Sequence, residues 1–278
     1  MSNPWVADAV SRGALLVLGP NKGASQWDDD GPNGLHATVV GATLQASGGP
    51  GPSLPNAYSM DGVDDVIHIA HDAILNLGAA NGDPFTIEYI GTRIANDPNF
   101  QPYWAKGDVT YQLRTTTGSG HVRFDLRGGT GGNVNTQDNA FLGAASSFYG
   151  VWARYDDPNE VATRSIRVFR TGSGLSSGIT AGDTAARDGT FAADADAWFT
   201  IGAQDNSTEG TTFRRFSEIV VSGVAIFPSH LSTTDMEDRR ALVFEEPTED
   251  EFDPDNLSVT VDGATASLDW DASPLLVE

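Results

Sequence analysis

Along this chain the apolar positions recur at every second residue. Segments 64–70 (DDVIHIA), 85–90 (FTIEYI), 109–114 (VTYQLR), 122–127 (VRFDLR) and 151–155 (VWARY) alternate in this way, as do 165–170 (SIRVFR), 198–202 (WFTIG), 216–222 (FSEIVVS) and 224–227 (VAIF). That is the period of half-buried strands, and several segments are also rich in β-branched and aromatic residues. Turn-forming clusters separate them at 48–52, 128–132, 156–159 and 172–178. Many short strands, glycine-rich turns and almost no helix predict an all-β fold, a two-sheet antiparallel jelly-roll sandwich rather than a βαβ arrangement. Ile67, Ile69, Phe85, Ile87, Leu113, Phe124, Ile166, Val168, Ile219 and Val221 are the candidate inward residues. A one-residue slip would exchange the faces, so the pattern alone leaves the choice of face open.

One short helix is predicted near 233–244, after Pro228 ends the strand at Phe227, with Thr234 and Glu237 at capping-box spacing. Its narrow apolar stripe of Met236, Leu242 and Val243 suits a cover at one end of the sandwich. The chain thus divides into an N-terminal arm (1–13), the sandwich (14–245), an acidic linker (246–256, EPTEDEFDPDN) and a C-terminal β-hairpin tail (257–278). Asp262-Gly263 between two alternating runs is the hairpin signal. A lone hairpin is marginal in water. Val259, Val261, Leu268, Trp270, Leu275 and Leu276 are therefore expected to pack on the body or on a neighbouring subunit.

Composition narrows the classes. At 278 residues and 39% hydrophobic the chain can bury a real core, and with no cysteine it has no disulfide, thiolate metal site or cysteine nucleophile. No apolar run approaches the roughly 18 residues of a membrane span, and residues 14–18 are too short for a signal-peptide core. Sixteen basic against 38 acidic residues give a net charge of −22, which argues against nucleic acid and anionic membrane as partners. The acids are 28 Asp and 10 Glu; the bases are 14 Arg and two Lys, Lys22 and Lys106. Aspartate excess with lysine depletion is the surface chemistry expected in molar salt, where the screening length is about 3 Å.

The order of landmarks resembles the laminin G-like, concanavalin A-like jelly-roll family over about residues 14–245. Segment 27–41 (WDDDGPNGLHATVVG) is similar to its first landmark, an Asp followed by a Gly/Asn-rich turn and a small-residue strand. Segment 58–77 (YSMDGVDDVIHIAHDAILNL) resembles its most specific one, an aromatic, a Gly-containing Asp turn, a strand and a capped Leu turn. Segments 84–89, 104–107, 148–155 with 166–169, and 199–202 with 219–227 follow in the same order. The connection 181–196 is unusually polar for that family, and residues 246–278 have no counterpart in it.

The resemblance implies a loop-rim calcium, and the residues admit one as the only cofactor. Asp61, Asp64 and Asp65 are the first candidates and Asp28–Asp30 the second, since clustered Asp oxygens on turns suit a hard cation. The alternative is that Asp61-Gly62 simply shapes a tight turn. For sugar, Tyr103, Trp104, Trp152 and Trp198 are candidates either for a platform or for the core. The fold also carries glycoside hydrolases. Retaining enzymes need two carboxyls about 5–5.5 Å apart, yet the Glu-x-Asp-x-x-Glu strand of jelly-roll glucanases is missing and Glu88 stands alone on its strand. Segment 174–178 (GLSSG) matches Gly-x-Ser-x-Gly but lacks the strand-to-helix context of a nucleophile elbow. His68 and His71 read as rim residues rather than zinc ligands.

No enzymatic activity is expected. The domain type usually faces the outside of a cell, yet no signal-peptide core precedes it. The leading expectation is a virion structural module of a tailed virus with a halophilic host, assembled in the host cytoplasm and released without export: a capsid decoration, vertex turret, spike or tail appendage. Its partners would be other virion proteins and other copies of itself, because sandwich edges without lysine need cover. The alternative is a carbohydrate-binding or adhesion module that recognises host cell-surface glycan.

The acidic composition predicts that the chain loses compactness as salt is withdrawn. The check is the melting temperature, expected to climb between low and molar salt; a flat profile would contradict the salt-adapted surface.

Overall fold

The computed structural model describes residues 3–77, 83–92, 101–107, 110–115, 121–126, 134–137, 147–156, 165–186, 196–205, 212–246, 258–261 and 264–267. Helix α1 (Pro4–Ser11) opens the chain, followed by β1 (Leu16–Lys22), β2 (Gln26–Asp29), β3 (Ala37–Val40), β4 (Thr43–Gln45), β5 (Ala57–Asp61) and β6 (Val66–Ile69). Next come β7 (Phe85–Thr92), β8 (Pro102–Lys106), β9 (Tyr111–Thr115), β10 (Val122–Leu126), β11 (Val134–Gln137), β12 (Phe148–Asp156), β13 (Ser165–Thr171) and β14 (Ile179–Ala186). The chain continues with β15 (Phe199–Ile201), β16 (Gln204–Asp205), β17 (Phe213–Arg214), β18 (Glu218–Phe227), α2 (Thr233–Leu242), β19 (Ser258–Val261) and β20 (Ala264–Ser267).

These strands build an antiparallel β-sandwich, as the alternation predicts. In the first sheet β18 is central. One of its edges carries β7, and beyond β7 lie β12, β13 and β14; the other edge is shared by β1 at Ile226 and β5 at Glu218. The second sheet runs β11-β10-β9-β8-β15-β6-β3-β2. Strand β2 also pairs with β1 through a register shift between Leu18 and Lys22, so the two sheets are joined at that corner. At the opposite end β11 lies against β13 and β14.

Between the sheets sits the main core. All ten inward candidates belong to it. Rings from the two sheets interlock there, Phe85 of β7 meeting Phe124 of β10 and Tyr111 of β9, and within the second sheet Trp104 of β8 stacks on Phe199 of β15. Their centroids lie 5.8–6.3 Å apart, within the range in which offset and edge contacts attract.

A second core covers the other face of the first sheet. Val17, Ile90, Trp152, Phe169, Ala225 and Phe227 pack there with Trp5 and Ala9 of α1 and Met236 of α2. Strand β7 is consequently buried at every position. Among the described residues there are two α-helices where the sequence reading has one. The stretch read as an arm holds α1, whose start is fixed by the Asn3 side chain accepting the Val6 N–H and by Pro4 in the first turn. Helix α2 lies with α1 on the outer face of the sheet, not at one end of the sandwich. Its capping box is Ser232 with Asp235, not Thr234 with Glu237. Glu237 instead accepts the Ile179 N–H at 2.6 Å and ties β14 to the helix.

Other boundaries move too. The runs 216–222 and 224–227 form one strand, β18, with a register shift between Val221 and Gly223, and the run at 109–114 becomes Tyr111–Thr115. Strand β14 enters the connection 181–196. In the tail, β19 and β20 pair in register from Ser258↔Ser267 to Val261↔Ala264, and with no other strand among the described residues. Leu268, Trp270, Leu275, Leu276 and most of the acidic linker lie outside the described residues.

The helical layer is fastened by charge. Arg239 of α2 is fully buried; its guanidinium bonds Glu88 of β7, also fully buried, and Asp8 of α1 at 2.8 Å. It lies 4.7 Å from the Trp5 ring and 4.9 Å from the Phe227 ring. Burial pushes the Glu88 carboxyl up, and Arg239 opposes that shift. Removing one partner of such a pair leaves an uncompensated buried charge, at a cost of about 3–5 kcal/mol. Arg239→Met should therefore lower unfolding stability by about that amount, and Glu88→Leu added to it should recover most of the loss. Urea unfolding of the single and double variants checks this, and a single variant as stable as the parent would refute it.

Candidate functional site

Of the acidic turns, the structure brings one together. Asp61 ends β5, Asp65 precedes β6, and oxygen atoms of Asp61, Asp64 and Asp65 lie within 4.8 Å of one another, the one such group among the described residues. The turn is held by its own backbone: Asp65 Oδ2 accepts the Asp61 N–H and Asp61 Oδ1 accepts the Val63 N–H, both at 2.8 Å. Gly62 and Gly41 both adopt positive φ, and a Cβ on Gly41 would stand 2.0 Å from Asp65 Oδ1. Asp65 is buried, which pushes its carboxyl up; the Asp61 N–H opposes that shift, and the charges of Asp61 and Asp64 add to it. The donor set suits a hard cation. Since calcium takes about six to eight oxygens, carbonyls or water would have to complete it.

Asp28–Asp30 do not form such a cluster. Asp29 accepts backbone N–H bonds from Val17, Gly31 and Leu35, and so shapes the corner where the sheets join. Asp30 pairs with Asn21, and Asp28 with Gln26.

The four candidate platform aromatics separate sharply. Tyr103, Trp104 and Trp152 are fully buried, but Trp198 is partly exposed. It stands on the outer face of the second sheet, opposite the helices. Thr38, His68, Thr200, Ala105, Gln112 and Asp125 lie there in cross-strand register, one from each strand between β3 and β10. The ring of His68 lies 4.7 Å from Trp198 and stacks on Phe213 at 5.5 Å and 24°. Trp198 and Phe213 are 6.4 Å apart. All three rings are partly exposed. His68 Nδ1 is buried with no hydrogen-bond partner among the described residues. Burial pushes the His68 pKa down, and Asp205 opposes the shift.

A polar relay borders the rings. The ribbon β16–β17 pairs Asp205 with Phe213 and Gln204 with Arg214, and Asp205 Oδ2 accepts the Trp198 N–H at 3.1 Å. Arg215 has φ 55°, the one positive value of a non-glycine residue among the described residues. Its guanidinium donates to Gln204 Oε1 at 2.9 Å, Gln204 Nε2 donates to Gln112 Oε1 at 3.0 Å, and Gln112 Nε2 donates to Asp125 Oδ2 at 3.0 Å. Arg114 and Arg123 both donate to Asp125 through Nε at 2.5 Å. Apolar ring faces beside fixed donors and acceptors can hold a flat ligand that is apolar on one side and hydroxylated at its rim.

Sequence reasoning found Trp198 but not its partners. His68 and Phe213 lie 130 and 15 residues away from it in the chain, and only the sheet register brings them together. Segment 174–178 is a loop between β13 and β14 closed by Gly172 N–H to the Gly178 carbonyl, not a strand-to-helix elbow. Glu88, alone on its strand in sequence, is committed to Arg239.

No family model and no curated protein matches the chain. Solved structures do. The botulinum neurotoxin type G receptor binding domain matches 82% of this chain and 51% of its own length at 11% identity and TM-score 0.55. The botulinum neurotoxin serotype D ligand binding domain, in complex with N-acetylneuraminic acid, matches 85% and 52% at 12% identity and TM-score 0.57. Trypanosoma rangeli sialidase with the inhibitor DANA matches 83% and 33% at 15% identity and TM-score 0.50. The chain therefore spans about half the length of the toxin domains, and at such identities the likeness is one of fold alone, a β-sandwich.

Proposed function

We propose that this chain is a carbohydrate-binding module that attaches its bearer to a glycan. The observation that carries this reading is the cluster of His68, Trp198 and Phe213, three rings left partly exposed on a sheet face while Tyr103, Trp104 and Trp152 are fully buried. Fold neighbours with a receptor-binding role, one of them in complex with a sugar acid, support it. The virion-module expectation rests on the acidic composition, the domain type without a signal-peptide core and the strand-forming tail, and none of these distinguishes a virion part from a protein of another setting. The buried carboxylate of Glu88 is paired with Arg239 and is not poised as a hydrolytic acid or base.

Asp61, Asp64 and Asp65 are proposed as a calcium position that stiffens the β5–β6 turn at the rim. Millimolar calcium should raise the melting temperature of the parent chain and not that of Asp64→Asn; an equal response of the two would count against the site.

Trp198→Ala tests the main reading. Ring contacts of this kind are worth about 0.5–1.5 kcal/mol beyond burial, so the variant should bind glycan on an array up to about tenfold more weakly with an unchanged melting temperature. Equal binding by parent and variant would remove the rings from the site.

A further inference from the structure

We propose that Asn33-Gly34 is a modification site at which the Gly34 nitrogen displaces the Asn33 side-chain amide, and that the product loosens the corner where the two sheets join. Asn33 and Gly34 lie in the turn between β2 and β3, and both are exposed. Theirs is the one Asn-Gly pair among the described residues. The other asparagines described, Asn3, Asn21, Asn56, Asn76 and Asn135, are followed by Pro, Lys, Ala, Leu or Thr, whose side chains crowd or block the attacking nitrogen. Gly34 has no such cover. It adopts φ 63°, in the region that favours glycine, and the nearest atom beyond its chain neighbours to the place of a Cβ is His36 Nε2 at 3.9 Å. Its N–H donates to no group among the described residues.

The reaction needs only water. The Gly34 N–H gives its proton to a solvent base as its nitrogen bonds Asn33 Cγ; the Cγ–Nδ2 bond breaks, and Nδ2 takes up a proton and leaves as ammonia. Water then opens the ring imide at one of its two carbonyls, giving aspartate or, with one more methylene in the main chain, isoaspartate. No electron is gained or lost. Either product strikes at what holds the turn. Asn33 Nδ2 donates to the Leu15 carbonyl at 2.8 Å, and the Leu15 N–H donates to the Ile226 carbonyl of β18 at 2.7 Å, so the amide ties the turn to the start of β1. A carboxylate in its place sets an acceptor against an acceptor, and adds negative charge a few residues after Asp28, Asp29 and Asp30. Asp29 holds the turn from both ends, accepting the Gly31 N–H at 2.8 Å and the Leu35 N–H at 2.9 Å. An added methylene between Asn33 and Gly34 lengthens the stretch that those two bonds span.

The test ages the full chain, folded, in warm and mildly alkaline buffer, beside the same chain unfolded in urea. Peptide mass mapping follows the amide-to-acid conversion at each asparagine, and enzymatic methylation detects isoaspartate. The folded chain should convert at Asn33 at a rate comparable with the unfolded chain, and isoaspartate should appear there. The converted fraction should melt about 2–4 °C lower, the shift for losing about one hydrogen bond in a chain of this size. Asn33→Asp should reproduce a shift of that direction without ageing. Asn33→Gln keeps a carboxamide but must close a larger ring, so it should stay unconverted and its melting temperature should not drift. An Asn33 amide still intact in the folded chain after the unfolded chain has converted would overturn the inference, because the Leu15 clasp would then be a shield. Conversion confined to Asn81-Gly82 would overturn it as well. So would conversion of Asn33 with an unchanged melting temperature, since the corner would then not depend on that amide.

Discussion

A buried guanidinium governs the helical side of this molecule. Arg239 meets Glu88 from the sheet and Asp8 from the first helix while the rings of Trp5 and Phe227 close over it. Taking such charges out of water costs several kcal/mol per ion and is offset only by close, well-directed partners. Geometry is therefore forced: α2 must place Arg239 over β7, and α1 must bring Asp8 to it. The indole of Trp5 points toward Glu88 and favours its charged form without closing a well-aligned hydrogen bond. Around the rim Arg12 adds a second link, joining Asp8 of its own helix to Asp235 of α2. The acidic surface could not supply this order by itself, since exposed pairs contribute little.

The same network explains why the two faces of the sandwich differ. The central strands of the first sheet are covered on both sides, so β7 is buried at every position and β18 from Val221 to Phe227. The second sheet is covered on its inner side, and its outer residues are Thr38, His68, Thr200 and Gln112 rather than a further apolar layer. The proposed glycan face lies where the helices do not. Both lysines are likewise taken up by the scaffold: Lys22 Nζ donates to the Gly19 and Ser222 carbonyls above the Trp27 ring, and Lys106 Nζ donates to the Ala197 carbonyl. Burial pushes the Lys22 ammonium down to about 7, with Asp30 opposing.

Alternation made the main core legible, because a strand with one face in water must alternate. It failed where both faces are buried. In Phe85–Thr92 the inward Phe85, Ile87 and Tyr89 stand out, but Glu88 on the other face gives no hint of Arg239, which is 151 residues away. Helix α1 is only eight residues long, too short for a clear periodic stripe, although Asn3-Pro4 is a start signal in physical terms. The glycine of the β18 bulge made one strand look like two. The acidic turn at Asp61–Asp65 was readable because it is local. The aromatic cluster was only one-third readable: whether Trp198 faces out and Trp104 faces in depends on strand register, and a single residue of slip reverses it.

Ser53 has a consequence for how the sandwich can be carried. Its carbonyl accepts from the Asn3 side chain at 2.7 Å, and its hydroxyl donates to the Glu245 carbonyl at 2.7 Å. Both ends of the folded body thus leave from one spot on the helical side, and His68, Trp198 and Phe213 lie on the opposite side. Such a body can be spliced into a loop of a host scaffold, or strung between neighbours, with its two tethers side by side and its aromatic face turned outward, as a lamp hangs from a single bracket.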